Sequence, residues 1–351
     1  MKKHCIVAGA LGISGRALLE HLEKDETWDV TAISRRRPDF ATRANFLALD
    51  LMSAEDCARA LRDLSSVTHV FYGAHVRHAD PTREAALNLQ MLRNLVEGIE
   101  AASPRLSRVV LLHGTKWYGN HLGPFKTPAR EDDPRHMPPN FYYDQQDWIA
   151  EHQKGKSWAW SALRPHCICG PAIGSPMSHL LGLCLYAAIS RELGLPLCFP
   201  GAKGAFEAMY QFTDAALLAQ AMVWAGTEPG CANEAFNMTN GEVERWCNLW
   251  PHLARQFGME AGPVRTISLA KYMADKEPLW QQICARRGLE YHRMDELVDW
   301  SFLDWAYGAD YDQVSCLGKA RRAGWTASVD AREMFERQIG RLVEMRIIPG
   351  P

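Results

Sequence analysis

The first half of the chain alternates short apolar runs with segments in which apolar residues recur every three or four positions. Such runs between amphipathic segments are typical of strands buried on both faces of a parallel sheet and joined by crossover helices. The pattern predicts strands in residues 4–9, 28–34, 44–51, 67–74, 106–116 and 158–165. It predicts helices in residues 14–24, 53–64, 82–102 and 140–154. The fold class that follows is α/β, a doubly wound parallel sheet of the Rossmann type.

The second half has a different pattern, in which helical segments rich in tryptophan and tyrosine dominate. The segments QFTDAALLAQAMVWA and NEAFNMTNG are the exception, since they are typical of a further helix and strand of the sheet. We therefore predict a nucleotide-binding Rossmann domain in residues 1–165, to which the chain returns at about 205–245. Residues 166–204 and 246–351 are predicted to form a smaller, mainly α-helical C-terminal lobe that binds substrate.

The composition is that of an ordinary globular protein, with 351 residues, 47% hydrophobic residues and a formal net charge of -2. No basic excess points to nucleic acid or to an anionic membrane surface. The glycines in the N-terminal apolar run argue against a signal peptide, and the apolar run 180–189 is too short to span a bilayer. The sequence thus predicts a cytoplasmic protein.

Ten cysteines are scattered along the chain, and the only close pair is Cys167 and Cys169 in HCICG. No second cluster stands at the spacing of a zinc site. We expect reduced, mostly buried thiols rather than a disulfide framework, and no structural metal.

The segment GALGISG follows the first predicted strand and opens the first predicted helix. In a dinucleotide-binding turn, Gly9 would permit the sharp bend, Gly12 the approach of a pyrophosphate, and Gly15 the close packing of helix on strand. The glycines alone are a weak signal. Their position after the first strand of an alternating pattern favours a dinucleotide site over a plain tight turn.

The choice of dinucleotide depends on the end of the second strand, where an NAD site usually has an acidic residue for the ribose 2′-hydroxyl. This chain has ISRRRP there, so Ser34, Arg35 and Arg36 offer a hydroxyl and two guanidinium groups suited to a 2′-phosphate. The alternative is a solvated basic loop. The sequence therefore predicts NADPH/NADP+ as the cofactor. The residues predicted to bind it are Gly9, Leu11, Gly12, Ile13, Gly15, Ser34, Arg35, Arg36, Asp50, Leu51, Ala74, Tyr143, Pro165 and Ile168.

The segment NFYYDQQDW carries Tyr142 and Tyr143, but no lysine stands four residues after either one. Reductases of this fold commonly pair a tyrosine with a lysine at that spacing, because residues four apart lie on one face of a helix. Lys116 follows the predicted fifth strand, and reacting groups gather at the carboxyl ends of the strands in such sheets. A lysine from the strand end can therefore meet a tyrosine from the helix, although position alone does not separate this role from that of a surface lysine.

Taken together, GALGISG, ISRRRP, VTHVFYGA, HGTKWYG, GPF, NFYYDQQDW, ALRP, CLYAAI and NEAFNMTNG resemble the progesterone 5β-reductase and iridoid synthase-like family. These proteins are atypical extended short-chain dehydrogenases/reductases, and the resemblance spans nearly the whole chain. It implies that Lys116 and Tyr143, the second tyrosine of NFYY, form the catalytic pair and that Tyr142 is structural. It also implies a substrate pocket that includes His75, Phe125 and Phe302.

The chain departs from the family pattern in ways that bear on the substrate. His113 stands where threonine is usual, His75 where a pocket tryptophan is common, and His166 follows the RP pair where asparagine is frequent. The loop KWYGNHLGP is also longer. Since a lost indole and a longer loop change the size and polarity of a pocket, the identity of the substrate does not follow from the resemblance.

The resemblance implies NADPH-dependent 1,4-reduction of the activated C=C bond of α,β-unsaturated carbonyl compounds, with a small apolar enone as substrate. Tyr143 would donate to the carbonyl oxygen where negative charge develops, and Lys116 would add positive potential. The alternatives are reduction of a ketone or aldehyde to an alcohol, and a non-catalytic NADPH-sensing protein. A sugar-nucleotide epimerase shares the extended fold but normally needs the helical Tyr–Lys spacing that is absent here. The sequence leaves open whether a homodimer forms.

Overall fold

A parallel sheet forms the centre of the computed structural model, which describes residues 2–351. The strands are β1 Lys3–Ala8, β2 Trp28–Ser34, β3 Asn45–Ala48, β4 His69–Tyr72, β5 Arg108–Leu112, β6 Ala159–Pro165, β7 Ile168–Cys169, β8 Leu197–Phe199, β9 Met209–Tyr210, β10 Thr213–Asp214, β11 Glu234–Met238, β12 Glu244–Arg245 and β13 Ala261–Val264. The helices are α1 Ile13–Leu22, α2 Ala54–Leu61, α3 Pro81–Ala102, α4 Phe141–His152, α5 His179–Glu192, α6 Lys203–Glu207, α7 Ala215–Thr227, α8 Trp246–Gln256, α9 Leu269–Tyr272, α10 Glu277–Arg287, α11 Met294–Leu297, α12 Trp300–Gly308, α13 Gly318–Arg322 and α14 Ala331–Glu344. Short 3-10 turns lie at Thr115–Tyr118 and Pro229–Cys231.

The seven strands of the main sheet lie in the order β11-β6-β5-β4-β1-β2-β3, and every neighbouring pair is parallel. This arrangement confirms the predicted Rossmann class. The chain runs outwards from β1 to β3 on one side and from β4 to β11 on the other, so the strand order reverses between β1 and β4. Loops that leave these two strands diverge and open a crevice at the carboxyl edge of the sheet, where doubly wound proteins bind ligands.

Side-chain caps set where the helices around this crevice begin. The Ser53 hydroxyl accepts the N–H of Asp56 at 3.2 Å at the start of α2. At the start of α4, the Asn140 side chain accepts the N–H of Tyr142 at 3.1 Å. The cap at Asn140 therefore decides which face of α4 each of the two tyrosines occupies.

The α-helical lobe has a hydrophobic core of its own, in which α5 is buried along nearly its whole length. The chain returns to the sheet through α7, which packs on α1, and through β11 at the sheet edge. The segment around α13 also lies against the sheet domain, since Ala320 and Trp325 are part of its core and the Trp325 ring lies 5.4 Å from that of Trp224. Within the described chain, no helix combines the length and the apolar character that crossing a membrane requires.

The turn after β1 leaves no room for side chains at two of its glycines. Gly9 has a φ of +80°, and a Cβ atom there would lie 2.7 Å from the backbone of Gly73 after β4. A Cβ atom on Gly15 would lie 2.2 Å from the carbonyl oxygen of Gly9, whereas one on Gly12 would lie 3.4 Å from the same oxygen. The close packing of α1 on the turn thus depends on Gly15 and not on the size of Gly12.

We expect Gly15→Ala to destabilise the protein, because the obstructing atom belongs to the backbone of a tight turn. Overpacking costs roughly 1–3 kcal/mol, so the melting temperature in a thermal unfolding experiment should fall by several degrees. Gly12→Ala is the matched control, since its new methyl group would have an ordinary contact distance. Equal melting temperatures for the two variants would contradict this account of the turn.

Candidate active site

A cleft of about 610 Å³ lies at the carboxyl edge of the sheet, between the sheet and the α-helical lobe. Residues that follow β1, β4, β5 and β6 form one wall, and α5 and the start of α12 form the other. Of the predicted cofactor-binding residues, Ile13, Ala74, Pro165 and Ile168 line this cleft directly. Its volume is that of a pocket for a small organic ligand.

Groups suited to binding an anion lie at the start of α1, next to the cleft residue Ile13. Gly12 caps α1 without a side-chain hydrogen bond, and the amides of a first helical turn have no intrahelical acceptor. Arg35 and Arg36 are exposed directly after β2, and the Arg36 guanidinium donates to the carbonyl oxygen of Ile173 at 3.4 Å. Free amides, the positive end of a helix dipole and guanidinium charge therefore meet at one edge of the sheet, as a dinucleotide phosphate cradle requires.

Asp50 and Leu51, which follow β3 and are predicted to bind the cofactor, do not line the cleft. Asp50 is exposed, and its carboxylate accepts the N–H of Met52 at 3.0 Å. Leu51 is 5% exposed and packs in the core beneath the sheet, so its side chain stabilises the fold at this point.

The structure brings Lys116 and Tyr142 together in the cleft. Lys116 lies in the 3-10 turn after β5, and Tyr142 lies in the first turn of α4. Asn140 joins the two elements, because its amide group donates to the carbonyl oxygen of Lys116 at 2.8 Å while capping α4. A Cβ atom on Gly114 would lie 3.2 Å from the Tyr142 hydroxyl oxygen, which places that hydroxyl against the backbone just before Lys116.

Tyr143 does not line the cleft, contrary to the sequence expectation for the catalytic and cofactor-contacting tyrosine. It is 4% exposed, its hydroxyl donates to the carbonyl oxygen of Trp117, and the same hydroxyl accepts the N–H of His136 at 2.9 Å. Consecutive residues of an α-helix point about 100° apart, and here Phe141 and Tyr142 face the cleft while Tyr143 is turned away from it. The helix cap gives that position to Tyr142, and Tyr143 instead braces the 3-10 turn.

The positions four residues after the tyrosines have structural partners. Gln146 accepts a hydrogen bond of 3.1 Å from Arg164, whose guanidinium lies 3.6 Å from the centre of the Trp117 ring. Arg164 is 1% exposed and also donates to the Tyr118 hydroxyl at 3.0 Å. The place of the missing helical lysine is thus taken by a residue that fixes α4 to the turn carrying Lys116.

The pKa values of Tyr142 and Lys116 both differ from the usual values of these side chains. Burial, with a smaller effect of the Glu84 carboxylate, raises the pKa of Tyr142, so its hydroxyl stays protonated at neutral pH. Burial lowers the pKa of Lys116, against the nearby Glu84 carboxylate, which raises it. Within residues 2–351, the Tyr142 hydroxyl and the Lys116 ammonium have no hydrogen-bond partner, so both are available to a ligand.

Neutral imidazoles surround this pair, and sequence reasoning did not assign them to the site. His113 is 3% exposed, neither ring nitrogen has a partner in the described chain, and its ring centre lies 4.8 Å from that of Tyr142. Burial lowers the pKa of His113 well below its usual value, and burial with the Lys116 charge lowers the pKa of His121 to about 4. The sequence offered one hint, namely the unusual histidine at position 113.

Two of the three residues predicted for the substrate pocket line the cleft. His75 and Phe302 line the cleft, where His75 stacks on Phe141 at 5.0 Å and its ring lies 3.2 Å from a Glu84 carboxylate oxygen. Phe125 does not line the cleft. Its ring stacks on that of Tyr118 at 6.5 Å, because the long loop after the 3-10 turn carries it behind the turn into an aromatic cluster.

The lobe contributes cleft residues that no sequence motif indicated. They include His179 at the start of α5, Tyr210 in β9 and Trp305 in α12. These residues come from segments far apart in the chain, so only the packing of α5 and α12 against the sheet edge brings them to the cleft.

Comparison with known protein families identifies the family of this chain. Residues 6–307 match the model of the PRISE-like Rossmann-fold domain. The chain belongs to the PRISE-like family. The family resemblance predicted from the motifs is thereby confirmed.

Named relatives of this PRISE-like chain are similar over nearly their whole length. It is 33% identical over 366 residues to the 3-oxo-Δ(4,5)-steroid 5β-reductase of Arabidopsis thaliana, covering 98% of this chain and 92% of the relative. It is 32% identical over 363 residues to an (S)-8-oxocitronellyl enol synthase of Nepeta racemosa, covering 98% and 92%. It is 31% identical over 377 residues to a short chain dehydrogenase of Penicillium aethiopicum, covering 99% and 100%.

Solved structures share the fold of this PRISE-like chain at much lower identity. UDP-glucose 4-epimerase of Thermotoga maritima superposes with a TM-score of 0.71 at 15% identity, covering 97% of this chain and 99% of the epimerase. A short-chain dehydrogenase/reductase superfamily protein of Agrobacterium tumefaciens superposes with a TM-score of 0.67 at 15% identity, covering 98% of both chains. At such identities the likeness shows the fold alone.

Proposed function

We propose that this PRISE-like protein reduces the activated C=C bond of α,β-unsaturated carbonyl compounds with NADPH. The observation that carries the proposal is the pair of unpartnered donors, Lys116 and Tyr142, in a cleft that also presents aromatic walls such as Phe141 and Phe302. Such a site suits an apolar body with one oxygen that gains negative charge. The name of the Arabidopsis relative, a reductase of 3-oxo-Δ(4,5)-steroids, describes the same class of substrate.

The residues at the start of α1 and after β2 fit NADPH. The close turn at Gly9 and the uncapped first turn of α1 would hold the pyrophosphate, and Arg35 and Arg36 would hold the 2′-phosphate. When bound, this cofactor supplies a hydride. Ile13, Ala74 and Pro165 extend the same surface towards Lys116 and Tyr142.

The chain's own contribution to the reaction is to stabilise charge on the substrate oxygen. In a conjugate reduction that oxygen becomes an enolate, and the Tyr142 hydroxyl would donate a hydrogen bond to it. Because its pKa is raised, Tyr142 keeps its proton until this charge develops. Lys116 would add positive potential from the same wall, and the neutral rings of His113 and His121 would exclude water without competing for negative charge.

Reaction with 2-cyclohexen-1-one tests the proposed function most directly. We expect NADPH-dependent formation of cyclohexanone, because a cleft with aromatic walls discriminates against a missing methylene by only about 1–3 kcal/mol and so admits small enones. Gas chromatography with mass spectrometry identifies the product. The allylic alcohol as main product would show carbonyl reduction instead, and an absence of turnover across linear, cyclic and steroidal enones would overturn the proposal.

The two adjacent tyrosines form a matched pair for testing the donor. Tyr142→Phe keeps the ring but removes the hydroxyl, so kcat for enone reduction should fall by roughly 10²–10³-fold with little change in NADPH affinity. Tyr143→Phe removes hydrogen bonds to Trp117 and His136, so it should lower the melting temperature and affect kcat less. Steady-state kinetics and thermal unfolding of both variants would refute the assignment if Tyr143→Phe were the one with the larger loss of kcat.

The arginines after β2 predict a strong preference for NADPH over NADH. Two charged hydrogen bonds to a phosphate at roughly 1.5–3 kcal/mol each correspond to a preference between tenfold and several thousandfold. Arg36→Ala should reduce the ratio of kcat/KM for the two cofactors by about tenfold or more. Arg37→Ala, which changes an exposed neighbour outside the predicted set, should leave it unchanged. Equal kcat/KM values for NADPH and NADH in the native protein would exclude a 2′-phosphate site.

A further inference from the structure

The floor of the cleft beyond Pro165 holds a thiol in an unusual backbone conformation. Cys167 lines the cleft and has a φ of +42°, in the left-handed region that residues with side chains rarely adopt. It occupies the bend between β6 and β7, where the carbonyl oxygen of Cys167 accepts the N–H of Thr213 at 3.1 Å. Strained residues of this kind concentrate at functional sites, where the surrounding structure holds them in place.

A second cysteine and two imidazoles surround this thiol. The Cys169 thiol lies 3.5 Å from the Cys167 carbonyl oxygen, towards which it is directed. His166 and His179 also line the cleft and are 5% and 6% exposed, and the Nδ1 atom of each has no partner among the described residues. The His166 ring lies 4.6 Å from that of Tyr210. A buried nitrogen without a partner destabilises the folded state, so the unpaired atoms at this floor indicate a place for a ligand or a proton.

The electrostatics of Cys167 differ from those of the buried cysteines elsewhere in the chain. Burial opposes ionisation of Cys167, but the neighbouring Cys169 and His179 side chains hold its pKa well below the usual value. Burial raises the pKa of Cys57 and Cys284 to about 11. Since the thiolate is the nucleophilic form, Cys167 combines access to the cleft with the greater tendency to ionise.

We propose that Cys167 is a nucleophilic thiol that forms a thioether with soft electrophiles entering the cleft, above all with α,β-unsaturated carbonyl compounds. His179 takes the thiol proton, and the sulfur forms a bond to the β-carbon of the substrate. The π electrons of the C=C bond move to the carbonyl oxygen, and the α-carbon then takes up one proton as the carbonyl re-forms. The product contains all atoms of thiol and enone, so no oxidant or reductant is needed.

The enone part of this inference rests on the proposed function, because it requires enones to enter the cleft. The thiol itself does not depend on hydride transfer. Its consequence for the enzyme is a competing reaction: an enone that arrives without NADPH would alkylate Cys167, block the floor of the cleft and reduce later turnover.

The test is the order in which cysteines of the folded, full-length protein react with limiting N-ethylmaleimide, followed by peptide mass mapping. We expect Cys167 to react at least about tenfold faster than Cys247 and Cys316, which are also partly exposed and serve as internal controls. Incubation with 2-cyclohexen-1-one in the absence of NADPH should add the mass of the intact enone at the same cysteine. Cys167→Ser should abolish this fast phase, and Cys247→Ser should leave it unchanged.

The role of His179 has its own readout in the pH dependence of labelling. The rate at Cys167 should reach half of its maximum below pH 8.5, the ordinary value for a thiol, and His179→Gln should move that midpoint upwards. Labelling of Cys167 no faster than that of Cys247 would overturn the proposal, and this comparison within the native protein does not depend on the folding of any variant. Fast labelling of Cys167 without enone reduction would support the thiol site and refute the proposed function. Enone reduction with an unreactive Cys167 would support the proposed function and refute the thiol site.

Discussion

The side chain of Asn140 is the interaction on which the arrangement of the cleft depends. Its oxygen accepts the N–H of Tyr142 and begins α4, while its nitrogen donates to the carbonyl oxygen of Lys116 at the end of β5. One amide group therefore fixes the helix and the strand end relative to each other. The Tyr143 hydroxyl donates a hydrogen bond to the carbonyl oxygen of Trp117, and this contact also holds α4 against the 3-10 turn. Lys116 and Tyr142 therefore reach the same cleft from two different elements that Asn140 joins.

Burial affects the pKa values of the cleft residues more than close charge pairs do. Burial lowers the pKa of Lys116, His113 and His121, and it raises that of Tyr142. The result is a donor that keeps its proton beside rings that carry no charge. Ion pairs lie at the mouth instead, where Arg77 and Asp299 join the sheet domain to the lobe at 2.7 Å. Because the Arg77 side chain is 57% exposed, this pair adds little stability, although it spans the two walls of the cleft.

The two polar regions of the cleft have different chemical characters. In the proposed reactions, Lys116 and Tyr142 would donate to an oxygen that becomes negative, whereas Cys167 would be a nucleophile with His179 as its proton acceptor. An activated double bond can react in both ways, with hydride or with sulfur, since both add to its β-carbon. The same electrophilic character that makes a compound a substrate would thus make it a reagent for the cleft's own thiol.

The sequence by itself determined the sheet, the glycine turn and the family. Strand β2 has the predicted bounds Trp28–Ser34, because strict apolar runs and helical periodicity are local properties of a chain. The sequence also indicated that Lys116 faces the crevice, where the structure has it, since a residue at the carboxyl end of a parallel strand faces the crevice wherever the strand lies. The tertiary structure alone decided which tyrosine faces the cleft, because adjacent residues of a helix differ only in their direction around its axis, and a cap and its hydrogen bonds set that direction. It alone also placed Phe125 behind the turn and His179 in the cleft, because long loops and a separate lobe bring residues together through packing that has no local signature in the sequence.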